Sequence, residues 1–157
     1  MKTAIALTAA GLISLGIVGT TPAAAYHLTP ENESFVGDGT TSATKNGITL
    51  PCKAHFTGKV TSKGVGYVTG GSFTDNGATG CKQVKLVLLP YKSRVKSATK
   101  VVILQAQFNG PLGLDCGPSN VPTTLKNGVI TFTAVPMAGG CSVSGKITTT
   151  PTLSIVP

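Results

Sequence analysis

Cysteine is the most reactive residue type in this sequence, and one of its four cysteines opens the stretch Cys116-Gly117-Pro118-Ser119. A Cys-x-x-Ser stretch suits redox chemistry when a helix N-terminus lowers the pKa of the thiol. The residues that follow, "NVPTTLKNGVITF", contain Pro122 and an Asn-Gly pair, which oppose a helix. We therefore interpret Cys116 as half of a structural disulfide.

Four cysteines allow three pairings, and the sequence alone leaves all three open. We favour Cys52–Cys81 with Cys116–Cys141, because each pair joins sequence neighbours across a segment with the pattern of strand, turn and strand. In the chain-entropy description, closing loops of this size stabilises a fold by about 3–4 kcal/mol each.

Acid, base and metal-ligating groups are scarce, with five carboxylates and two histidines in the whole chain. Neither His27 nor His55 has a second histidine at the spacing of a metal-binding pair, so a metal site would need ligands from distant segments. The three aspartates lie in turn-like segments, where this residue is common. We therefore predict a protein that is not an enzyme, with no catalytic residues, no metal and no cofactor.

Positive charge is arranged more regularly than negative charge. Lys92, Arg94 and Lys96 occupy every second position, which places three cations on one face of a strand. This basic stripe can contact DNA, an acidic polysaccharide such as an anionic matrix polymer, or an anionic lipid head group by charge alone. More often such a stripe is a solvated face that also protects a sheet edge from aggregation, and we favour that interpretation. We retain it as a candidate anionic contact.

The first 25 residues have the order of a secretory signal peptide. Lys2 precedes an uncharged apolar run at 4–18, and small residues end at Ala25. The run is shorter than the roughly 20 residues of a transmembrane helix, so we predict no transmembrane segment in the mature chain. An exported protein retains its disulfides. The expected location is therefore extracellular or at the cell surface.

The elements that must position these residues read as strands. In "CKAHFTGKV" (52–60), Cys52, Ala54 and Phe56 share one face while lysine, histidine and threonine occupy the other. Segments rich in Val, Ile and Thr recur to the C-terminus, with Asn-Gly pairs between several of them. We predict an all-β fold: one antiparallel β-sandwich over 45–157, preceded at 26–44 by a polar leader or an added edge strand.

Four segments resemble a family of small secreted bacterial proteins, the activators of alkane oxidation. They are "LTPENESF", "GITLPCKAHFTGKV", "LDCGPSNV" and "GGCSVSGKITTTPTLSIVP". The resemblance implies an exported, disulfide-containing β protein that is not itself an oxidoreductase and is linked to hydrocarbon use or to biofilm. It provides no catalytic residues, and only the four cysteines are carried over, as structural residues.

The sequence therefore supports two functional hypotheses. The first is a non-enzymatic extracellular protein, associated with matrix, biofilm or hydrophobic substrates such as alkanes, that assembles with itself through edge strands. The second is an extracellular binding module for an apolar or anionic ligand, which requires an apolar groove or an exposed patch.

Overall fold

The structure is a computed structural model that describes residues 25–157. The predicted signal peptide lies outside the described residues, except for Ala25. The described chain contains 3-10 turns at Cys81–Gln83 and Pro111–Gly113 and eleven strands. The strands are β1 (His27–Thr29), β2 (Ser34–Lys45), β3 (Ile48–Val60), β4 (Gly66–Asp75), β5 (Lys85–Leu86), β6 (Tyr91–Val95), β7 (Lys100–Asn109), β8 (Asp115–Lys126), β9 (Val129–Met137), β10 (Cys141–Thr150) and β11 (Ser154–Val156).

Eight of these strands close into an antiparallel barrel, in the order β7-β6-β4-β3-β2-β10-β9-β8. Strand β8 pairs back with β7, with Val101 opposite Thr123 and Ile103 opposite Val121, and this pairing joins the two ends of the sheet. The all-β prediction is confirmed, but the predicted sandwich is wrong. Alternating apolar and polar residues suit a barrel wall and a sandwich face equally well, so the pattern did not separate the two.

The remaining three strands lie at the margins of the barrel. Strands β1 and β11 form a separate two-stranded sheet, which buries Leu28 and, beside β11, Leu153. Strand β5 extends the sheet beside β7, with Leu86 opposite Phe108. These additions place apolar side chains over openings that the barrel strands alone would leave.

Residues 26–44, expected to be a polar leader or an edge strand, lie mostly within the barrel wall. Residues 34–45 form β2, which pairs with β3 along one side and with β10 along the other. Phe35 and Gly37 point into the barrel, while Ser34 and Asp38 face outward and are exposed. The outward polar residues gave the segment its polar composition.

Two hairpins turn at the Asn-Gly pairs that the sequence marks. Asn46-Gly47 joins β2 to β3 and Asn127-Gly128 joins β8 to β9, with all four residues at positive φ. This is the two-residue hairpin loop whose twist matches that of the flanking strands. Because the loops are this short, they fix the register of both hairpins.

Candidate functional site

The candidate site is the apolar interior of the barrel. Alternate residues of each strand point inward, and their side chains line a cavity of about 180 Å³, which we call the apolar cavity. All five phenylalanines of the protein line it. They are Phe35, Phe56, Phe73, Phe108 and Phe132. The aliphatic lining comes from both ends of the barrel and includes Leu28, Ile103, Leu125, Met137, Ile147 and Leu153.

Two clusters of buried residues line the two ends of the cavity. One contains Leu28, Phe35, Val101, Leu125 and Leu153, with strand β1 contributing the first of these. The other surrounds the four cysteines and includes Leu50, Val84, Leu114, Val121, Met137 and Val143. The partly buried Ile103 packs against both clusters. The disulfides therefore stabilise one end of the cavity rather than a reactive centre.

Glycines on the inner wall make room for the phenyl rings. Phe35 lies directly opposite Gly58 in the ladder, and Phe132 lies opposite Gly145. A Cβ atom added to either glycine would collide with the paired ring. Aromatic rings that cover cross-strand glycines are a known means of stabilising curved sheets. The rings of Phe35 and Phe132 therefore lie along the wall, which leaves space near the barrel axis.

The buried polar side chains of the lining are bonded to the backbone. Ser93 Oγ accepts from the N–H of Gly66 at 3.1 Å, and Thr123 Oγ1 donates to the carbonyl of Val101 at 2.9 Å. Thr149 Oγ1 donates to the carbonyl of Gly128 at 3.0 Å. Within residues 25–157, no buried side-chain N or O atom lacks a partner. None of the described charged side chains lines the cavity, so its surface offers a ligand almost entirely apolar contact.

Tyr91 joins the cavity wall to the loop Val87–Pro90 between β5 and β6. Its hydroxyl lies within hydrogen-bond distance of the carbonyl oxygens of Val87 and Gln107 and accepts from the N–H of Val87 at 3.2 Å. Burial raises the pKa of Tyr91 above its ordinary value, although the two backbone hydrogen bonds oppose the shift. The hydroxyl therefore stays protonated and holds the start of the loop.

The structure places the four cysteines in the two pairs favoured from the sequence. Cys52 is bonded to Cys81 and Cys116 to Cys141, with Cα–Cα distances of 5.7 and 5.8 Å. All four are buried, and the described chain contains no free cysteine. Cys116 is therefore half of a buried disulfide, and its structural role stays a prediction.

The basic stripe is on the outside of the barrel. Lys92, Arg94 and Lys96 are exposed on and just beyond β6. Lys59 on β3, Tyr67 on β4 and Lys92 on β6 are paired in register across the three strands, which adds a fourth cation to this face. The stripe is separate from the apolar cavity, and its role as an anionic contact stays a prediction.

Asp38, His55 and Ser72 form an acid–histidine–serine row across β2, β3 and β4. His55 Nδ1 lies 2.6 Å from Asp38 Oδ1, and the two side chains are 49% and 64% exposed. Among the hydrogen bonds of the described chain, the partner of the His55 side chain is Asp38 and not Ser72. The row lies on an open outer wall, and we interpret it as a solvated surface pair.

We expect His55→Gln to change the free energy of unfolding by less than about 1 kcal/mol, because water screens an exposed ion pair. Urea denaturation of the variant beside the native protein checks this. A loss above about 2 kcal/mol would contradict the interpretation and indicate a more strongly coupled site.

Across 25–157, no group of three or more His, Cys, Asp or Glu side chains is arranged to hold a metal ion. In the same part of the chain, no helix is long and apolar enough to cross a membrane.

The fold and the site together define a closed β-barrel protein whose interior is apolar and carries no charge. Residues 1–157 match the family model described as alkane oxidation protein activator, PraA/PraB-like, and the chain belongs to this family. The family resemblance noted from the sequence is thereby confirmed. No curated protein and no solved structure matches the chain.

The sequence signals did not identify the apolar cavity. The missing signal was the placement of glycine and phenylalanine on the same inward face of neighbouring strands. Phe35 and Gly37 alternate with outward residues in β2, and Phe56 and Gly58 do so in β3. Alternation of large side chains with glycine on the inward face is typical of small curved barrels.

Proposed function

We propose that this protein is a non-enzymatic extracellular carrier that binds one small hydrocarbon molecule, or one end of a longer hydrocarbon, in the apolar cavity. The observation that carries the proposal is the lining: five phenyl rings and aliphatic side chains, with every buried polar side chain already bonded. A ligand with its own polar groups would lose their hydrogen bonds to water and gain none inside. Saturated hydrocarbon has no such groups.

The size of the cavity fits this class of ligand. A dry apolar cavity of about 150 Å³ lined by Leu, Ile and Phe binds benzene. The present cavity, at about 180 Å³, is of that size. The family description supports the proposal, because it concerns the oxidation of alkanes. A carrier outside the cell would supply hydrophobic substrate to the enzymes that oxidise it, and the two disulfides suit that location.

We expect n-hexane to raise the midpoint of thermal unfolding, whereas 1,6-hexanediol at the same concentration has no effect. The two molecules have the same carbon chain, so the comparison isolates the cost of burying hydroxyl groups. At ten times its dissociation constant, a ligand stabilises the folded state by about 1.4 kcal/mol. Calorimetry of the native protein in both solutions measures the shift.

A matched pair of substitutions tests where the ligand binds. Ala106→Leu fills part of the cavity that Ala106 lines and should abolish the shift caused by n-hexane. Ala98→Leu adds the same atoms at an exposed position between β6 and β7 and should leave the shift intact. Equal shifts in the two variants would place the hydrocarbon elsewhere, and no shift in the native protein would contradict the binding of a hydrocarbon of this size.

The basic stripe favours a second candidate function, the contact with an anionic matrix polymer. Lys59, Lys92 and Arg94 are exposed on neighbouring strands, and Tyr67 lies between the two lysines. Charge-driven binding of this kind weakens as salt rises. Binding that survives high salt would count against it. This contact is compatible with hydrocarbon binding, because the two surfaces are on opposite sides of the wall.

Because the sheet closes into a barrel, β2 is not an edge strand that could pair with a second copy of the protein. Of the described strands, β2 is paired on both sides and is not available as a donor. We therefore do not include assembly through the 26–44 segment in the proposed function.

A further inference from the structure

Beside the second half of β4, neighbouring strands of the barrel wall are not joined by a ladder. Strand β4 runs to Asp75, yet it pairs with β6 through Tyr67 and Val68 alone. Strand β5 pairs with β7 and with no other strand of the described chain. The gap between residues 69–74 of β4 and residues 85–90 is called the seam below. It ends at the β4–β6 ladder on one side and near the Cys52–Cys81 disulfide on the other.

The sequence of the loop Val87–Pro90 explains why the ladder stops. Pro90 would be the next residue opposite β4, and it has no N–H to donate. Leu86 pairs with Phe108, and Ser93 pairs with Ile103. Ser93 therefore comes seven residues after Leu86, whereas their two partners on β7 are only five residues apart. The extra length is accommodated in the loop. There, Leu88 adopts a φ of 59° that leucine rarely takes, with 73% of its surface exposed.

Apolar contacts alone close the seam. The Leu86 side chain lies against Gly71, since a Cβ on Gly71 would be 2.7 Å from Leu86 Cδ1 and 2.8 Å from Phe56 Cδ1. Phe56 meets Phe73 edge to face, with ring centroids 5.7 Å apart. Leu86, Phe56 and Phe73 all line the apolar cavity. They remain partly exposed, whereas the core residues of the two end clusters are buried.

Cavity size then limits how a longer chain can bind. Scaling from a 150 Å³ cavity that holds the six carbons of benzene, about 180 Å³ holds about seven carbon atoms. An aliphatic chain of ten or more carbons must therefore extend out of the cavity. The seam is an apolar route that breaks no backbone hydrogen bond, and the exposed Leu88 lies beside it.

We propose that the seam is the lateral entrance of the apolar cavity, through which a linear aliphatic chain inserts one end while the rest lies along Leu86 and Leu88. The inference rests on the proposed function and names its substrate class: an unbranched saturated chain longer than the cavity. Such a chain is supplied by a free alkane or by a fatty acid, and both present the same methylene surface.

A cross-link over the seam tests the entrance. Gly71→Cys combined with Leu86→Cys removes the leucine atom that a side chain at 71 would meet and places two thiols across the gap. The control is Thr40→Cys with Lys53→Cys, an exposed in-register pair that joins β2 to β3 on the outer wall. Mild reductant opens the added exposed disulfide and leaves the buried native pairs intact, so each variant is compared with itself.

The measurement is the release of ¹³C-labelled n-decane from loaded protein into empty vesicles, followed by NMR. The seam cross-link should slow release about tenfold or more, as expected when a gate is closed, and the control cross-link should have little effect. Leu86→Ala, which widens the seam, should speed release in a protein without added cysteines. Sodium decanoate in place of n-decane distinguishes a fatty acid from a free alkane as the bound chain. Retention of decanoate indicates that the protein accepts a fatty acid, and loss of decanoate with retention of n-decane indicates that it binds free alkane alone.

The outcomes separate the entrance from the cavity. If n-decane binds, but neither the seam cross-link nor Leu86→Ala alters its release, the entrance is elsewhere and the proposed function stands. If the native protein retains neither n-hexane nor n-decane, the proposed function fails. Should the seam cysteines not bond, the rate measured for Leu86→Ala decides, and an unchanged rate overturns the entrance.

Discussion

Replacement of Cys116 and Cys141 together by alanine is expected to lower the free energy of unfolding by about 2–5 kcal/mol. The bond joins the starts of β8 and β10 across 25 residues, and its removal frees the unfolded chain of that constraint. Both sulfurs also lie within the buried cluster at one end of the apolar cavity, so their loss leaves unfilled space there. Two-state urea denaturation measures the change.

Lys53→Gln provides the control for this prediction, because Lys53 is exposed on the outer face of β3. A change at such a position stays within about 0.5 kcal/mol. Equal midpoints for the disulfide variant and the control would contradict the structural role of Cys116. Labelling of the native protein by a thiol reagent would contradict it as well, since both pairs are closed in the structure.

Local structure was well specified by the sequence where a strand alternates cleanly between short turns. The alternation at 52–60 places Cys52 and Ala54 in the core and Lys53 and His55 outside, as the structure shows. The hairpins at Asn46-Gly47 and Asn127-Gly128 follow because asparagine and glycine tolerate positive φ.

The sequence pattern is least informative where an apolar run conceals a change of structure. The segment 83–89 reads as one strand, yet it divides into the end of a 3-10 turn, the short β5 and the start of the loop Val87–Pro90. Periodicity cannot mark such a break, because the unbroken apolar residues 86–89 are compatible with a buried strand. Pro90 was the local signal that the ladder with β4 would stop.

Barrel closure lay beyond sequence reasoning for a different reason. It depends on the pairing of β7 with β8 and on how far the sheet curls, and both are set by the whole set of inward side chains. The apolar cavity follows from that curl, so it was hidden as well. Gly58 is the residue at which this dependence is most directly tested.

Gly58→Ala is expected to lower the free energy of unfolding by about 3 kcal/mol, because the new methyl group has no space. A Cβ at this position would collide with the ring of Phe35 and lie 2.5 Å from the carbonyl oxygen of Tyr67. The ring can shift, but the carbonyl belongs to the β3–β4 ladder and moves only if that ladder distorts. Urea denaturation gives the cost, with Gly70→Ala as the matched control.

At Gly70 the added Cβ would meet the Thr57 hydroxyl, the end of an exposed side chain, at 2.8 Å. That hydroxyl can rotate away, so Gly70→Ala should change the free energy by less than about 1 kcal/mol. A second comparison divides the cost at Gly58 between ring and backbone. If the ring dominates, Gly58→Ala should cost much less stability in a protein that already carries Phe35→Leu than it does in the native protein. If the Tyr67 carbonyl dominates, the loss persists in the Phe35→Leu background. Equal midpoints for Gly58→Ala and Gly70→Ala would instead mean that Phe35 does not lie over Gly58, and the curled wall that shapes the apolar cavity would be wrong.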